Sequence, residues 1–197
     1  MLVMGILNAT PDSFADGGEH FTYPDAVDHG LKLIAEGADI IDVGGESTRP
    51  GAERVSAAEE ERRVINVISK LVDAGKPISI DTMRASTARA AVIAGASIIN
   101  DVSGGLADAA MLDTAAELKV PYIAMHWRGH SKEMNNLAVY TNVVEEVITE
   151  LSLRIEAALS AGVSKSNLII DPGIGFAKEP ADNWAIIEEI QRFVALG

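Results

Sequence analysis

The chain alternates between two kinds of apolar segment. Short runs rich in Ile and Val end in a polar residue that is followed by a turn signal. They occupy residues 2–7, 39–43, 77–80, 97–99, 120–125 and 168–170. Runs of this length that are apolar on both faces are typical of buried strands in a parallel sheet. The pattern therefore predicts six strands.

Longer stretches with helical spacing separate the short runs. Three of their apolar stripes begin at Ala26, Val64 and Val143, and residues 182–196 predict a sixth helix. Ser56 followed by Glu59 is the sequence of a capping box at the start of the second stripe. The acidic residues 59–61, followed by two arginines, are interpreted as a solvated helix face with i,i+3 and i,i+4 ion pairs.

Strands that alternate with helices indicate repeated βαβ units, which leaves a doubly wound open sheet or a (β/α)8 TIM barrel. Polar side chains follow nearly every strand: Asn8, Asp42, Asp81, Asn100, His126 and Asp171. Barrel active sites are assembled from the carboxyl ends of many strands, whereas a doubly wound sheet binds its ligand at one switch point. The barrel is therefore favoured.

A complete barrel normally needs eight strands and about 250 residues. The 197 residues here carry six strands. We therefore expect an incomplete barrel with about six of eight βα units, forming a single domain over residues 1–197 and lacking the last two units.

Composition limits the classes of molecule that the protein is expected to bind. The net charge of -13, without a basic cluster, argues against nucleic acid and anionic membranes. The absence of cysteine excludes disulfides and thiolate chemistry. The apolar start at residues 1–7 lacks a basic region and is too short for a signal peptide or a membrane span. These features predict a cytoplasmic protein that acts on small molecules.

Two loops after adjacent strands have unusual sequences. Residues 8–18 combine Pro11 and paired glycines with the apolar Phe14, and residues 44–51 combine glycines with hydrogen-bond donors. The donors at Ser47, Thr48 and Arg49 suit a phosphate or a carboxylate.

Asp81, Asn100 and Asp171 each follow an apolar strand, so each is expected to face the barrel mouth. A buried carboxylate needs hydrogen-bond donors, and a flat heterocycle with amino and ring N–H groups would supply them. Asp81 could instead cap the helix that follows it, whereas Pro172 and Gly173 weaken that reading for Asp171.

Residues 4–18 (MGILNATPDSFADGG) and 41–51 (IDVGGESTRPG) resemble the two signature loops of dihydropteroate synthases. Later segments resemble further blocks of that family in the same order, at residues 80–82, 99–104, 124–129 and 171–176. The family condenses (7,8-dihydropterin-6-yl)methyl diphosphate with 4-aminobenzoate to give 7,8-dihydropteroate and diphosphate in folate biosynthesis. Its enzymes are sulfonamide targets.

The resemblance also implies roles for individual residues. Asp81, Asn100 and Asp171 match the pterin-recognising residues, with Met125 and Phe176 as pocket walls. Asn8 matches a residue that helps to hold Mg²⁺ near the diphosphate. The loop positions divide between diphosphate binding at Thr48 and the 4-aminobenzoate site at Phe14, Asp16, Ser47 and Pro50. Asp81, Asp16 and Arg49 are the candidates for catalytic roles.

The family pattern also contains a Lys on a seventh strand and an Arg and a His on an eighth, and its last helices usually form a homodimer interface. The chain ends before those blocks, so we expect a C-terminally truncated form that is poorly active alone, with a homodimeric parent protein. Two alternatives remain open: a methyltetrahydrofolate-dependent methyltransferase, and a non-catalytic pterin-binding subunit.

Overall fold

Six parallel strands and seven α-helices alternate along the chain in a computed structural model that describes residues 1–10, 23–46 and 54–196. The strands are β1 (Met4–Asn8), β2 (Ile40–Gly44), β3 (Ile78–Asp81), β4 (Ile98–Asp101), β5 (Tyr122–Met125) and β6 (Leu168–Asp171). They form one sheet in the order β1-β2-β3-β4-β5-β6. All six predicted strands are confirmed, and the order is that of consecutive βαβ units of a barrel.

Of the α-helices that the structure describes, five lie between consecutive strands: α1 (Tyr23–Ala35), α2 (Ala57–Leu71), α3 (Ala85–Ile93), α4 (Met111–Leu118) and α5 (Val143–Ser160). Helices α6 (Pro180–Glu188) and α7 (Ile190–Val194) follow β6. The Oγ of Ser56 accepts a hydrogen bond from the backbone N–H of Glu59 and so caps α2, as predicted. The Glu59 carboxylate binds Arg62 and Arg63.

The prediction of one helix over residues 182–196 was wrong. Helix α6 begins earlier, at Pro180, where the backbone N–H of Glu179 donates to the Asp182 carboxylate. Proline suits the first turn of a helix because its missing N–H would have no partner there. The helix ends at Glu188, and Glu189 leaves the helical region (φ -104°, ψ 21°) before α7.

The described residues divide into two compact units, one up to Asn100 and the other from Asp101 onward. We call them the first and the second unit. In the first unit, buried Ile and Val side chains of β2, β3 and β4 lie in the core with Val64, Ile68 and Leu71 of α2. In the second, Val147 and Leu151 of α5 pack with Ile186 and Phe193. The single domain over residues 1–197 remains a prediction.

Candidate active site

The strand register of the first unit aligns its candidate residues in one row. Asn8 is the register partner of Gly44, Gly44 is the partner of Asp81, and Asp81 is the partner of Asn100. Register partners in a parallel sheet project to the same face. The carboxyl ends of β1, β3 and β4 therefore present an amide, a carboxylate and a second amide side by side.

The glycine in this row makes room for the carboxylate. A Cβ atom on Gly44 would lie 3.3 Å from Oδ2 of Asp81. A larger residue at position 44 would therefore crowd the Asp81 side chain. The side chains of Asn8, Asp81 and Asn100 are all half-buried, as residues at the mouth of a barrel would be.

Asp42 lies one row below, and its Oδ2 accepts a 2.9 Å hydrogen bond from Nδ2 of Asn100. Asp42 is 4% exposed, and neither its Oδ1 nor the Oγ of its register neighbour Ser79 has a hydrogen-bond partner within the described residues. Burial raises the pKa of the Asp42 carboxyl, and the hydrogen bond from the Asn100 amide opposes that shift. The sequence placed Asp42 at a strand end but gave it no part in holding Asn100.

Asp81 does not cap the following helix. Helix α3 begins at Ala85 with Arg84 as its N-cap residue, and the backbone N–H of Arg84 donates to Oγ1 of Thr82. The neighbouring threonine thus makes the local turn. Arg84, rather than Asp81, therefore occupies the N-cap position, and the role of Asp81 in ligand binding stays a prediction.

The interpretation of residues 59–61 as a solvated face was wrong for Glu60. Its side chain is 1% exposed and accepts hydrogen bonds from Thr82, Arg84 and Thr87. Glu60 is one turn past the N-cap on the inward face of α2, where helical periodicity places it with the buried Val64. A carboxylate at that depth requires the charged partner that Arg84 provides.

Arg84 also contacts residues on either side of residues 47–53. Its guanidinium binds the Glu46 carboxylate at 2.8 Å and the carbonyl of Val55 at 2.6 Å. Arg54 binds the same Glu46 carboxylate at 2.9 Å. Residues 46 and 54 are the last and first described positions on either side of residues 47–53. Sequence reasoning missed Arg84 because its partners are 24 to 38 residues away in the chain.

The second unit has a register row of its own. Met125 at the end of β5 is the register partner of Asp171 at the end of β6. Met125 is buried, whereas Asp171 and Phe176 are half-buried. Oδ1 of Asp171 accepts a 2.7 Å hydrogen bond from the backbone N–H of Gly173, which turns the chain immediately after the strand.

Beneath that loop lies a buried chain of charged and polar groups. Nζ of Lys178 is 2.9 Å from Nδ1 of His126, and Nε2 of His126 is 2.9 Å from Oε2 of Glu150. Arg128 binds the same Glu150 carboxylate at 2.6 Å. Both ring nitrogens of His126 are thus engaged in hydrogen bonds. Burial, followed by the charge of Lys178, lowers the pKa of His126 to about 4.

Six candidate positions lie outside the described residues: Phe14, Asp16, Ser47, Thr48, Arg49 and Pro50. Within the part of the chain that the structure describes, no group of three or more His, Cys, Asp or Glu side chains lies close enough together to hold a metal ion. No helix in that same part is long and apolar enough to cross a membrane.

The chain is similar to known pterin enzymes over its whole length. The family model of pterin binding enzymes matches residues 4–197. Dihydropteroate synthase of Mycobacterium leprae (strain TN) is 49% identical over 196 residues, which cover 99% of this chain and 69% of that protein. Dihydropteroate synthase of Bacillus subtilis (strain 168) is 49% identical over 197 residues, covering 100% and 67%.

Solved structures give the same result. The chain matches Xanthomonas albilineans dihydropteroate synthase with 4-aminobenzoic acid at a TM-score of 0.91 and 49% identity, covering 100% of this chain and 70% of that one. The complex of the Xanthomonas albilineans enzyme with 7,8-dihydropteroate matches at a TM-score of 0.87 and 46% identity, covering 100% of this chain and 69% of that one. The Yersinia pestis enzyme with a sulfonamide drug matches at a TM-score of 0.92 and 37% identity, covering 99% of this chain and 71% of that one. The chain belongs to the pterin-binding enzyme family, among the dihydropteroate synthases.

Proposed function

We propose that this chain is a dihydropteroate synthase, a transferase that joins (7,8-dihydropterin-6-yl)methyl diphosphate to 4-aminobenzoate and releases diphosphate. The observation that carries the proposal is the pair of register rows. Asp81 and Asn100 share one row and Met125 and Asp171 share another, all at carboxyl ends of strands. Carboxylates and an amide in such rows suit a heterocycle that carries amino and ring N–H groups.

In this proposal, Asp81, Asn100 and Asp171 bind the pterin, and Met125 and Phe176 form its walls. The C–O bond to diphosphate breaks and the leaving group takes the electron pair. The positive charge that develops on the CH₂ group and the ring is stabilised by fixed carboxylates. The amine nitrogen of 4-aminobenzoate then forms the new C–N bond and loses a proton, so no enzyme nucleophile is required.

The groups that contact the other substrate portions are proposed from their motifs alone. Thr48 and Arg49 bind the diphosphate, and 4-aminobenzoate lies among Phe14, Asp16, Ser47 and Pro50. Asp16, Arg49 and Asp81 are proposed to be the catalytic residues. The sulfonamide-binding relative supports looking for drug binding at the same loops.

Asn8 fits the proposed Mg²⁺ site. Its amide is half-buried at the end of β1, in the row that contains Asp81. Mg²⁺ prefers oxygen ligands and usually takes one or two from the protein, with the rest from substrate phosphates and water. When bound, the ion neutralises charge on the departing diphosphate. A cytoplasmic location and a homodimeric assembly are further parts of the proposal.

Two assays on the purified chain test the proposal. The first measures 7,8-dihydropteroate formation from the two substrates, and the second measures dihydropterin binding by calorimetry. We expect Asp171→Asn to weaken dihydropterin binding at least tenfold. One carboxylate oxygen already accepts from Gly173, so in the variant the NH₂ group of the amide would face a ring N–H from which the other oxygen of Asp171 accepts a hydrogen bond. Asp113→Asn, at an exposed position of α4, is the matched control and should bind like the parent.

Each alternative has its own signature. Unchanged dihydropterin affinity in Asp171→Asn would overturn the pterin site. Tight dihydropterin binding with no detectable binding of 4-aminobenzoate would favour a non-catalytic pterin-binding protein. Binding of methyltetrahydrofolate, with no response to 4-aminobenzoate, would favour a methyltransferase.

A further inference from the structure

The loop after β6 is held in place by hydrogen bonds from outside it. The backbone N–H of Gly175 donates to Oδ1 of Asn183 at 2.8 Å, and the Tyr140 hydroxyl donates to the carbonyl of Ala177 at 2.9 Å. Ala177 has a left-handed backbone (φ 48°), a conformation that is unfavourable for a residue with a Cβ atom. The loop therefore adopts a shape that its own sequence does not prefer and that its contacts impose.

Lys178 makes the most concentrated of these contacts. Its Nζ lies 3.0 Å from the carbonyl oxygen of Gly173, 3.0 Å from that of Phe176 and 2.9 Å from Nδ1 of His126. The residue is 9% exposed. An ammonium group has three N–H donors and no acceptor, so these three partners match a protonated Lys178.

The tautomer of His126 follows from its other neighbour. Nε2 of His126 faces the Glu150 carboxylate, which only accepts hydrogen bonds and is held by Arg128. Nε2 therefore carries the proton, and Nδ1 presents a lone pair to Lys178. The order of donation is Lys178 to His126 to Glu150.

Gly173 contacts both Lys178 and Asp171, a residue of the proposed pterin site. A Cβ atom at Gly173 would lie 2.6 Å from the carbonyl oxygen of His126 and 3.3 Å from Nζ of Lys178, so the loop rests directly on these groups. The backbone N–H of the same glycine donates to Asp171. Any shift of the Lys178 head group therefore reaches the Asp171 carboxylate through one residue.

We propose that Lys178 is a positioning residue of the pterin subsite, whose protonated ammonium fixes the loop at Gly173 and Phe176 and thereby orients Asp171. The identity of the ligand rests on the proposed function, whereas the effect on the loop does not. Loss of the Lys178 proton is expected to release the loop and weaken dihydropterin binding.

The deprotonated form cannot keep all three contacts. A neutral amine has two N–H donors and a lone pair, and that lone pair would face one of the three acceptors. Burial lowers the pKa of Lys178 to about 8. The charged or titratable groups that face it are Asp171, Arg128, Glu150, Asp182 and His126.

The stability and binding effects have opposite signs. Because the folded-state pKa is lowered, the unfolded chain binds more protons between about pH 8 and 10.5, and the contribution of Lys178 to the free energy of unfolding rises across that window. Dihydropterin affinity is expected to fall over the same window. A general alkaline unfolding would lower both quantities together.

The test measures dihydropterin affinity by calorimetry from pH 6.5 to 9.5 in five proteins. These are the parent chain, Lys178→Met, His126→Asn, His126→Gln and the exposed control Lys165→Met. Lys178→Met should bind dihydropterin at least tenfold more weakly at pH 7. Its affinity should change with pH only through the ionisation of the ligand itself. Relative to that variant, the parent and Lys165→Met should lose about tenfold in affinity as the pH rises through 8.

The two histidine variants separate positioning from packing. Asn retains an acceptor near the place of Nδ1, whereas Gln retains only the group near Nε2. We expect His126→Asn to keep most of the affinity and its alkaline decline, and His126→Gln to resemble Lys178→Met. In steady-state assays, Lys178→Met should raise KM for the dihydropterin substrate and leave KM for 4-aminobenzoate near that of the parent.

Hydrogen exchange of the amides at residues 173–177, without ligand, tests the loop independently of the function. Lower protection in Lys178→Met than in the parent is expected at pH 7, with the difference lost near pH 9.5. Equal protection, or a parent-like affinity and pH profile in Lys178→Met, would overturn the role of Lys178. Lower protection in a protein that binds no pterin would support that role and overturn the proposed function instead.

Discussion

Asn100 donates a 2.9 Å hydrogen bond from Nδ2 to Oδ2 of Asp42, across 58 positions of the chain. The carboxylate therefore sets which end of the amide faces inward, and Oδ1 of Asn100 remains as an acceptor at the strand ends. In the proposed site, this oxygen selects a ligand with an N–H group at that position.

This relationship predicts a graded effect of substitutions at Asp42. Asp42→Ala should weaken dihydropterin binding about tenfold. Without Asp42 the Asn100 amide can rotate, and the loss of its fixed orientation should cost about the free energy of one hydrogen bond. Asp42→Asn should lose less, since its own Oδ1 can accept from Asn100. Calorimetry of both variants measures the difference. Equal losses would show that packing, rather than amide orientation, is the contribution of Asp42.

Glu60 should be among the most sensitive polar positions of the first unit. Glu60→Ala should lower the free energy of unfolding by about 3 kcal/mol, because it removes one of the two carboxylates that pair with the partly buried Arg84 and the buried acceptor of the Thr82 hydroxyl. Glu61→Ala, its neighbour on a more exposed part of α2, should change the free energy of unfolding by about 0.5 kcal/mol or less. Urea unfolding of both variants makes the comparison. A small effect at Glu60 would contradict the buried ion-pair interpretation.

His126 should make the protein sensitive to acid. Its folded-state pKa is lowered to about 4, so its stabilising contribution is complete above the unfolded value near 6.5 and declines as the pH falls from 6.5 through 4. Between pH 7 and pH 5 the loss should be about 2 kcal/mol. Unfolding curves of the parent and of His126→Asn at both pH values isolate this effect. Parallel losses in the two proteins would rule it out.

Lys119 ends α4 with a left-handed backbone (φ 58°) and an exposed side chain. Lys119→Gly should therefore raise the free energy of unfolding by about 0.5–1 kcal/mol. Its carbonyl, which accepts from Asn167, is retained in the variant. The reciprocal change Gly162→Ala, at φ 100°, should destabilise by about 1 kcal/mol. Thermal unfolding of the two variants should shift in opposite directions.

The sequence by itself determined the order of strands and helices, the residues at the strand ends and the family. Buried parallel strands must be apolar on both faces, so Ile- and Val-rich runs mark them with little ambiguity. Positions such as Asn8, Asp81 and Asp171 could be singled out because a polar residue directly after such a run is conspicuous. These are local features that are readable one segment at a time.

Only the tertiary structure decided which polar groups meet. Glu60 looked like one more charge on an acidic helix face, and its burial depends on Arg84, which belongs to another element. Lys178 looked like the end of a glycine-rich loop, but its three partners come from the loop carbonyls and from His126, 52 residues away. Long-range pairing of buried charges leaves no local periodicity, because its energy depends on the geometry of the folded chain.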